Sequence, residues 1–149
     1  MPIFERLRAG VTTGSAEETQ AVAAEFAAAL PPNTVVALHG DLGVGKTTFV
    51  QGLARGLGIT DAVTSPTFTI FTLYRGPTTL LHLDAYRLEN TRQLEDLLLA
   101  DFLNPPWCLA VEWPERISDW LPAETLHLTL GITPDERHTL RWDAPRPHA

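Results

Sequence analysis

The sequence holds one cysteine, Cys108, so the chain forms no internal disulfide and no cysteine-based metal site. A lone thiol suits a reducing cytosol. Apolar runs are short: none approaches a membrane span, and the opening MPIFERLRAG lacks the apolar centre of a signal peptide. Positive charge is scarce too. Lys+Arg 11 against Asp+Glu 18 gives a net charge of −7, which argues against a generic basic surface for nucleic acid. Any RNA contact is therefore expected to be local or made through a partner. The five histidines show no metal-ligand spacing, and no internal repeat or low-complexity tract interrupts the chain. Its 149 residues, 44% hydrophobic and 19% charged, suit one globular domain with a substantial core. The expectation is a soluble, cytoplasmic, single domain over 1–149, with a frayed proline-rich tail from about 144.

What is present is organised around Val35 to Leu57, VVALHGDLGVGKTTFVQGLARGL. Gly40-Asp41-Leu42-Gly43-Val44-Gly45-Lys46-Thr47 fits G-x-x-x-x-G-K-[ST] at every fixed position. The β-branched and apolar run Thr34 to Leu38 predicts a buried strand before it. Phe49, Val50, Leu53, Ala54 and Leu57 recur at helical spacing after it, with Gly56 and Gly58 as stop signals. Strand, glycine loop and helix together define a phosphate-binding loop. Gly40, Gly43 and Gly45 let the backbone turn its N–H groups inward as an anion nest, and the helix adds the positive end of its dipole. Lys46 reaches the outer phosphates as a point charge, and the Thr47 hydroxyl is a ligand for Mg²⁺. The loop is expected to bind a nucleoside polyphosphate.

Elsewhere, Ile3 to Leu7 alternates and reads as an edge strand. Ser15 and Glu18 match a capping box for a helix that buries Val22, Ala23, Phe26, Ala27 and Leu30, ended by Pro31-Pro32. Phe68, Ile70 and Tyr74 form a strand that returns through Arg75 to Thr78 into a second strand, Thr79 to Asp84, as a hairpin. Leu94, Leu97, Leu98 and Phe102 predict a short amphipathic helix. Trp107 to Glu112, WCLAVE, reads as a strand buried on both faces. Thr125 to Thr129 and Thr139 to Trp142 are two further strands joined by TPDERH.

A phosphate-binding loop needs an acid near the metal, and two strands end in one: Asp84 after Leu80 to Leu83, and Glu112 after Cys108 to Val111. Either would face a nucleotide from the carboxyl edge of the sheet. The alternative for each is a surface carboxylate capping a following turn, which a phosphate-binding loop in the same chain disfavours. Thr64-Ser65-Pro66-Thr67 reads as a γ-phosphate switch or as an ordinary proline turn. Asp84-Ala85-Tyr86-Arg87 groups an acid, a ring and a cation, with Arg87 a transition-state charge or a surface ion pair. Trp113 is a partner anchor or a core residue.

In combination these pieces closely resemble one family, the TsaE (also called YjeE) ATPases of bacterial tRNA threonylcarbamoyladenosine biosynthesis. The resemblance rests on four ordered motifs: GDLGVGKTTFVQGLARGLG from Gly40, SPTFTI from Ser65, HLDAYRL from His82 and VEWPERI from Val111. It implies a P-loop α/β fold of three layers, with a mixed parallel and antiparallel sheet. It also implies slow ATP hydrolysis alone and action with the TsaB–TsaD pair. That pair moves the threonylcarbamoyl group from the adenylate made by TsaC onto adenosine 37 of tRNAs reading codons that begin with A. The ATPase would reset the complex between turnovers and meet tRNA only indirectly. By the same resemblance, Gly43, Val44, Gly45, Lys46, Thr47 and Thr48 wrap the phosphates of ATP, and Thr47 and Glu112 hold Mg²⁺. Asp84 is the second acid, Ser65, Pro66, Thr67 and Phe68 are a switch, and Trp113 serves activity or docking beside Tyr86 and Arg87. The base would be contacted around Ser15 and Arg137. One departure is Leu97-Leu98-Leu99, where the family usually has a glycine; it bears on that helix rather than on the site.

Three other functions compete. A small-molecule or nucleotide kinase would use the same loop, but its lid usually carries several arginines, and Asn90 to Pro106 contains only Arg92. A GTPase would need N-K-x-D, which is missing. A nucleotide-gated binding module without hydrolysis would share every motif of a slow ATPase.

Overall fold

The computed structural model describes residues 2–41, 44–60, 70–96 and 98–143. The elements run α1 (Ile3–Ala9), β1 (Val11–Thr13), α2 (Ala16–Ala28), β2 (Thr34–His39), α3 (Lys46–Gly56), β3 (Phe71–Tyr74) and β4 (Thr79–Asp84). They continue with α4 (Thr91–Asp96), β5 (Trp107–Glu112), β6 (Leu126–Ile132) and β7 (His138–Asp143). Seven strands form one sheet in the order β1-β7-β6-β2-β5-β4-β3. The four central strands, β6, β2, β5 and β4, run parallel, and antiparallel pairs close both edges. Helices α1 to α3 cover one face. The other face is covered by α4 and the turns that bring in Leu88, Leu99 and Ile117. This is the mixed, three-layer α/β fold expected.

Local chemistry accounts for the elements. The Ser15 hydroxyl accepts from the Glu18 N–H at 3.1 Å, and the Glu18 carboxylate accepts from the Gly14 N–H at 2.7 Å, so the capping box closes one residue further back than its usual form. Val22, Ala23, Phe26 and Ala27 are buried from α2 as predicted, while Leu30 lies past the helix end at Ala28 and is half-buried. The β3–β4 hairpin pairs Tyr74 with Leu80, and the Ile70 carbonyl extends its ladder by accepting from the Asp84 N–H. Of its three predicted strand residues, Phe68 lies outside the described residues and Ile70 just precedes β3.

Two elements differ from expectation. Ile3 to Leu7 is helix, not an edge strand, because Ile3 and Leu7 also satisfy i, i+4 spacing and bury together. Phe4 decides between the patterns by packing on Phe26 and Trp142, with ring centroids 5.5 and 5.1 Å apart. Gly10, at φ +98°, then turns the chain into β1, the true edge strand. The helix predicted across Leu94 to Phe102 breaks. Leu98 takes a left-handed φ of +52°, so α4 ends at Asp96 and a 3-10 turn covers Leu99–Phe102. Leu94 and Leu99 still reach the core, while Leu98 points outward.

Helix α3 is held against α2 by two glycines. A Cβ on Gly52 would stand 2.4 Å from the Gln20 carbonyl oxygen, and one on Gly56 would stand 2.5 Å from that of Ala24. Backbone cannot yield to such contacts unless the helices part. An alanine at Gly52 would gain about 0.5–1 kcal/mol of helix propensity, less than the overpacking it causes. Gly52→Ala is therefore expected to destabilise the protein by about 1–3 kcal/mol, measured by chemical denaturation.

On the opposite sheet face, His39 Nε2 and His127 Nδ1 lie 2.8 Å apart, both half-buried. Burial holds both imidazoles below their usual value; Glu115 and Asp143 partly restore His39, while His39 depresses His127 further. Lys46 also lowers His39, and Asp143 raises His127. The native state therefore binds fewer protons than the unfolded chain just below about pH 6.5, and stability must fall on acidification through that window. A smaller loss of denaturation midpoint between about pH 7 and about pH 5.5 is expected for His127→Gln than for the wild type. Equal losses would remove the pair as the cause.

Candidate nucleotide site

The site is assembled by register. In the parallel centre of the sheet, Leu38 pairs with Glu112 and Asp84 pairs with Glu112, so β2, β5 and β4 end at one height. The loop from Gly40 leaves β2 at that edge and enters α3 at Lys46. Gly40 has a φ of +148°, and a Cβ there would lie 2.7 Å from the Leu130 carbonyl oxygen. Gly45 caps α3 in a left-handed conformation, φ +95°. Each glycine is thus required by conformation, and Gly40 by close approach as well. Val44 is buried, and its carbonyl accepts from His138 Nδ1 at 3.0 Å, tying the loop to β7. Gly43 lies outside the described residues, as do Ser65, Pro66, Thr67 and Phe68 of the expected switch.

Lys46 is 5% exposed. Its ammonium donates to the Gly40 carbonyl at 2.8 Å and sits 3.8 Å from the centre of the Trp113 ring. Burial lowers its pKa, and the carboxylates of Glu112, Glu115, Asp84 and Asp41 oppose that shift. A buried ammonium with one carbonyl and one aromatic face as direct partners keeps donor capacity for an anion. Thr47 and Thr48 follow in the first helical turn, both half-buried.

The acids differ in setting. Asp84 caps a 3-10 turn, Ala85–Arg87, by accepting from the Tyr86 N–H at 3.1 Å. Its pKa is raised, first by burial and then by Glu112; the Tyr86 bond and Arg87, 3.8 Å away, pull it down. Glu112 lies deeper, with one carboxylate oxygen 2.5 Å from His82 Nε2. Trp113 turns the chain out of β5 at φ +57°, which lays its indole over Lys46. Tyr86 packs on Trp113 at 5.2 Å between centroids, and the Arg116 guanidinium stacks 5.1 Å from the centre of the Tyr86 ring. Tyr86 is 55% exposed, so this stack of cation, ring, ring and cation runs from the buried lysine to the surface.

A cavity of about 50 Å³ adjoins the loop, lined by Ala16, Thr19, Gly45, Thr48 and His138. Ser15 and Arg137 each stand one residue away in sequence. The Ser15 hydroxyl is engaged in its cap, and the exposed Arg137 faces Asp135 at 3.5 Å. A larger cleft of about 450 Å³ opens at the opposite edge of the sheet, between Pro31, Pro77 and Pro106. Cys108 borders it, but burial pushes that thiol up to about 12.

The donors present at the loop suit Mg²⁺. That ion takes oxygen ligands, commonly one or two carboxylates completed by phosphate and water, and Thr47, Glu112 and Asp84 supply oxygen alone. Sequence reasoning missed His82, His138 and Glu115. His82 had a signal: two residues before Asp84 on a strand, it shares that acid's face.

Residues 13–140 match the family described as "Threonylcarbamoyl adenosine biosynthesis protein TsaE". Relatives named "tRNA threonylcarbamoyladenosine biosynthesis protein TsaE" include one from Bacillus subtilis, 42% identical over 133 residues, covering 89% of this chain and 83% of the relative. Another, from Treponema pallidum, is 38% identical over 121 residues, covering 81% and 90%. The crystal structure of Bacillus subtilis YdiB superposes with a TM-score of 0.76 at 38% identity, over 92% of this chain and 85% of that one. With a match across most of its length in sequence and in fold, the chain belongs to the TsaE family.

Proposed function

We propose that this protein is a Mg²⁺-dependent ATPase that serves threonylcarbamoylation of adenosine 37 in tRNAs reading codons that begin with A. It acts in the cytoplasm as the switch or reset subunit of the TsaB–TsaD transferase. The observation that carries this reading is Lys46, held on a loop carbonyl and an indole face beside two strand-end carboxylates. Family membership supplies the pathway.

The residues divide the work. Inward N–H groups of the loop and the N-terminus of α3 receive the phosphates, and Lys46 exchanges the Gly40 carbonyl for the β- and γ-phosphates. Thr47 and Glu112 would hold Mg²⁺, and the bound ion would supply positive charge against that developing on the phosphoryl oxygens. Asp84, less acidic than an ordinary aspartate, positions the attacking water. The nucleoside side of ATP lies over the mouth of the small cavity between α2 and His138, with Ser15 and Arg137 at its margins. Ser65 to Phe68 sense the γ-phosphate. Withdrawing Lys46 from Trp113 alters the stack through Tyr86, with Arg116 and Arg87 beside it, and so reports occupancy at the surface where the TsaB–TsaD pair docks. The net charge of −7 calls for a complementary positive face on that partner or its tRNA.

ATP turnover measured alone, and with TsaB–TsaD and tRNA, tests this reading. Low activity alone and a clear rise with the pair are expected. Lys46→Ala should weaken ATP binding by about 10- to 100-fold, the loss of a hydrogen bond from a charged group. Asp84→Asn should keep nucleotide affinity and lower turnover by about 100-fold or more. Phosphate transfer to an added metabolite instead of water would favour a kinase. No response to the pair would remove the proposed coupling.

A further inference from the structure

His82 is fully buried on β4, between Leu81 and Leu83 in the chain and on the face covered by α3. An apolar residue would satisfy that position more cheaply, since a buried imidazole must be compensated for lost water. Its one hydrogen bond among the described residues goes to a side chain, not to backbone. It joins Nε2 to the Glu112 carboxylate at 2.5 Å, from a strand thirty residues on. His82 pairs across the sheet with Ala110, and Asp84 with Glu112. The imidazole therefore lies one pleat below both acids, on their face.

The protons can be placed. An ionised carboxylate only accepts, so His82 donates from Nε2. Nδ1 has no partner among the described residues, and in the neutral ring that donates from Nε2 it is an acceptor rather than an unpaired donor. The opposite tautomer would bury an unpaired N–H, the rarer and more costly defect. With one Glu112 oxygen held from beneath, rotation of the carboxylate is restricted and its other oxygen is left for the site.

We propose that His82 is a positioning residue for Glu112: its Nε2–H fixes one carboxylate oxygen so that the other meets the nucleotide-bound divalent cation. This rests on the Mg²⁺-ATP reading above and names the residue that prepares its acid. Partners of metal-binding carboxylates in other proteins act this way, and losing one typically weakens metal affinity about 10- to 100-fold.

The test compares His82→Leu, which keeps bulk and removes the donor, with His82→Gln, whose amide nitrogen reaches a position similar to Nε2. Binding of ADP and of a non-hydrolysable ATP analogue is titrated in EDTA and across Mg²⁺ concentrations, with thermal unfolding recorded for each variant. His82→Leu is expected to match the wild type in EDTA within about twofold and to need about tenfold more Mg²⁺ or beyond. His82→Gln is expected to recover most of that difference. If His82→Leu fails to fold, His82→Asn, whose shorter amide does not span the gap, takes its place. An unchanged Mg²⁺ requirement in the donor-deleted variant would overturn the assignment, as would equal defects in the Gln and Leu variants. A wild type whose nucleotide binding ignores Mg²⁺ would instead overturn the Mg²⁺-ATP reading, and this assignment with it.

Discussion

The parallel pairing of β2, β5 and β4 is the constraint on which the site depends. Leu38, Glu112 and Asp84 share one level of the sheet, so the glycine loop leaves β2 where the other two strands present their acids. A slip of one residue would turn each side chain to the opposite face. The slip is resisted because these strands are apolar on both faces. Leu80, Ala110 and Leu38 pack under α3, while Leu81, Leu83, Leu109 and Val111 pack under the second layer. The geometry of the charged groups is therefore fixed by the aliphatic residues beneath them.

Close approach on the helical side does the complementary job. Gly52 and Gly56 let α3 lie directly on the α2 backbone, which sets the height of the Lys46 end of α3 above the sheet. His138 holds the loop from β7, and Trp113 closes over the ammonium from β5. Lys46 is thus buried in the protein alone, with its pKa depressed by lost water and sustained by surrounding acids. A triphosphate would replace weak partners with strong ones.

Much of this was legible in the sequence because its chemistry is local. The glycine loop, the Ser15 cap, the apolar runs ending in Asp84 and Glu112, and the β3–β4 return each show within about ten residues. What stayed hidden depends on distant contacts. Ile3 to Leu7 reads locally as a short edge strand, and the packing of Phe4 on Phe26 and Trp142 favours the helix instead. Nothing local in three consecutive leucines reveals that Leu98 takes a positive φ. His82 looked like one more strand residue until the sheet placed Glu112 beside it. His138 likewise meets the loop across more than ninety residues of sequence.

Lys46 is the only lysine in the chain, so lysine-labelled protein gives a single set of lysine side-chain resonances. Its NMR spectrum, recorded before and after adding Mg²⁺ and a non-hydrolysable ATP analogue, tests directly whether this residue is the phosphate-binding group. In free protein the methylene protons beside the ammonium should be shifted upfield by the Trp113 ring. The nucleotide should move them downfield as the ammonium leaves the indole for phosphate. Resonances that stay unchanged at saturating nucleotide would contradict the account, because the triphosphate would then bind without its lysine.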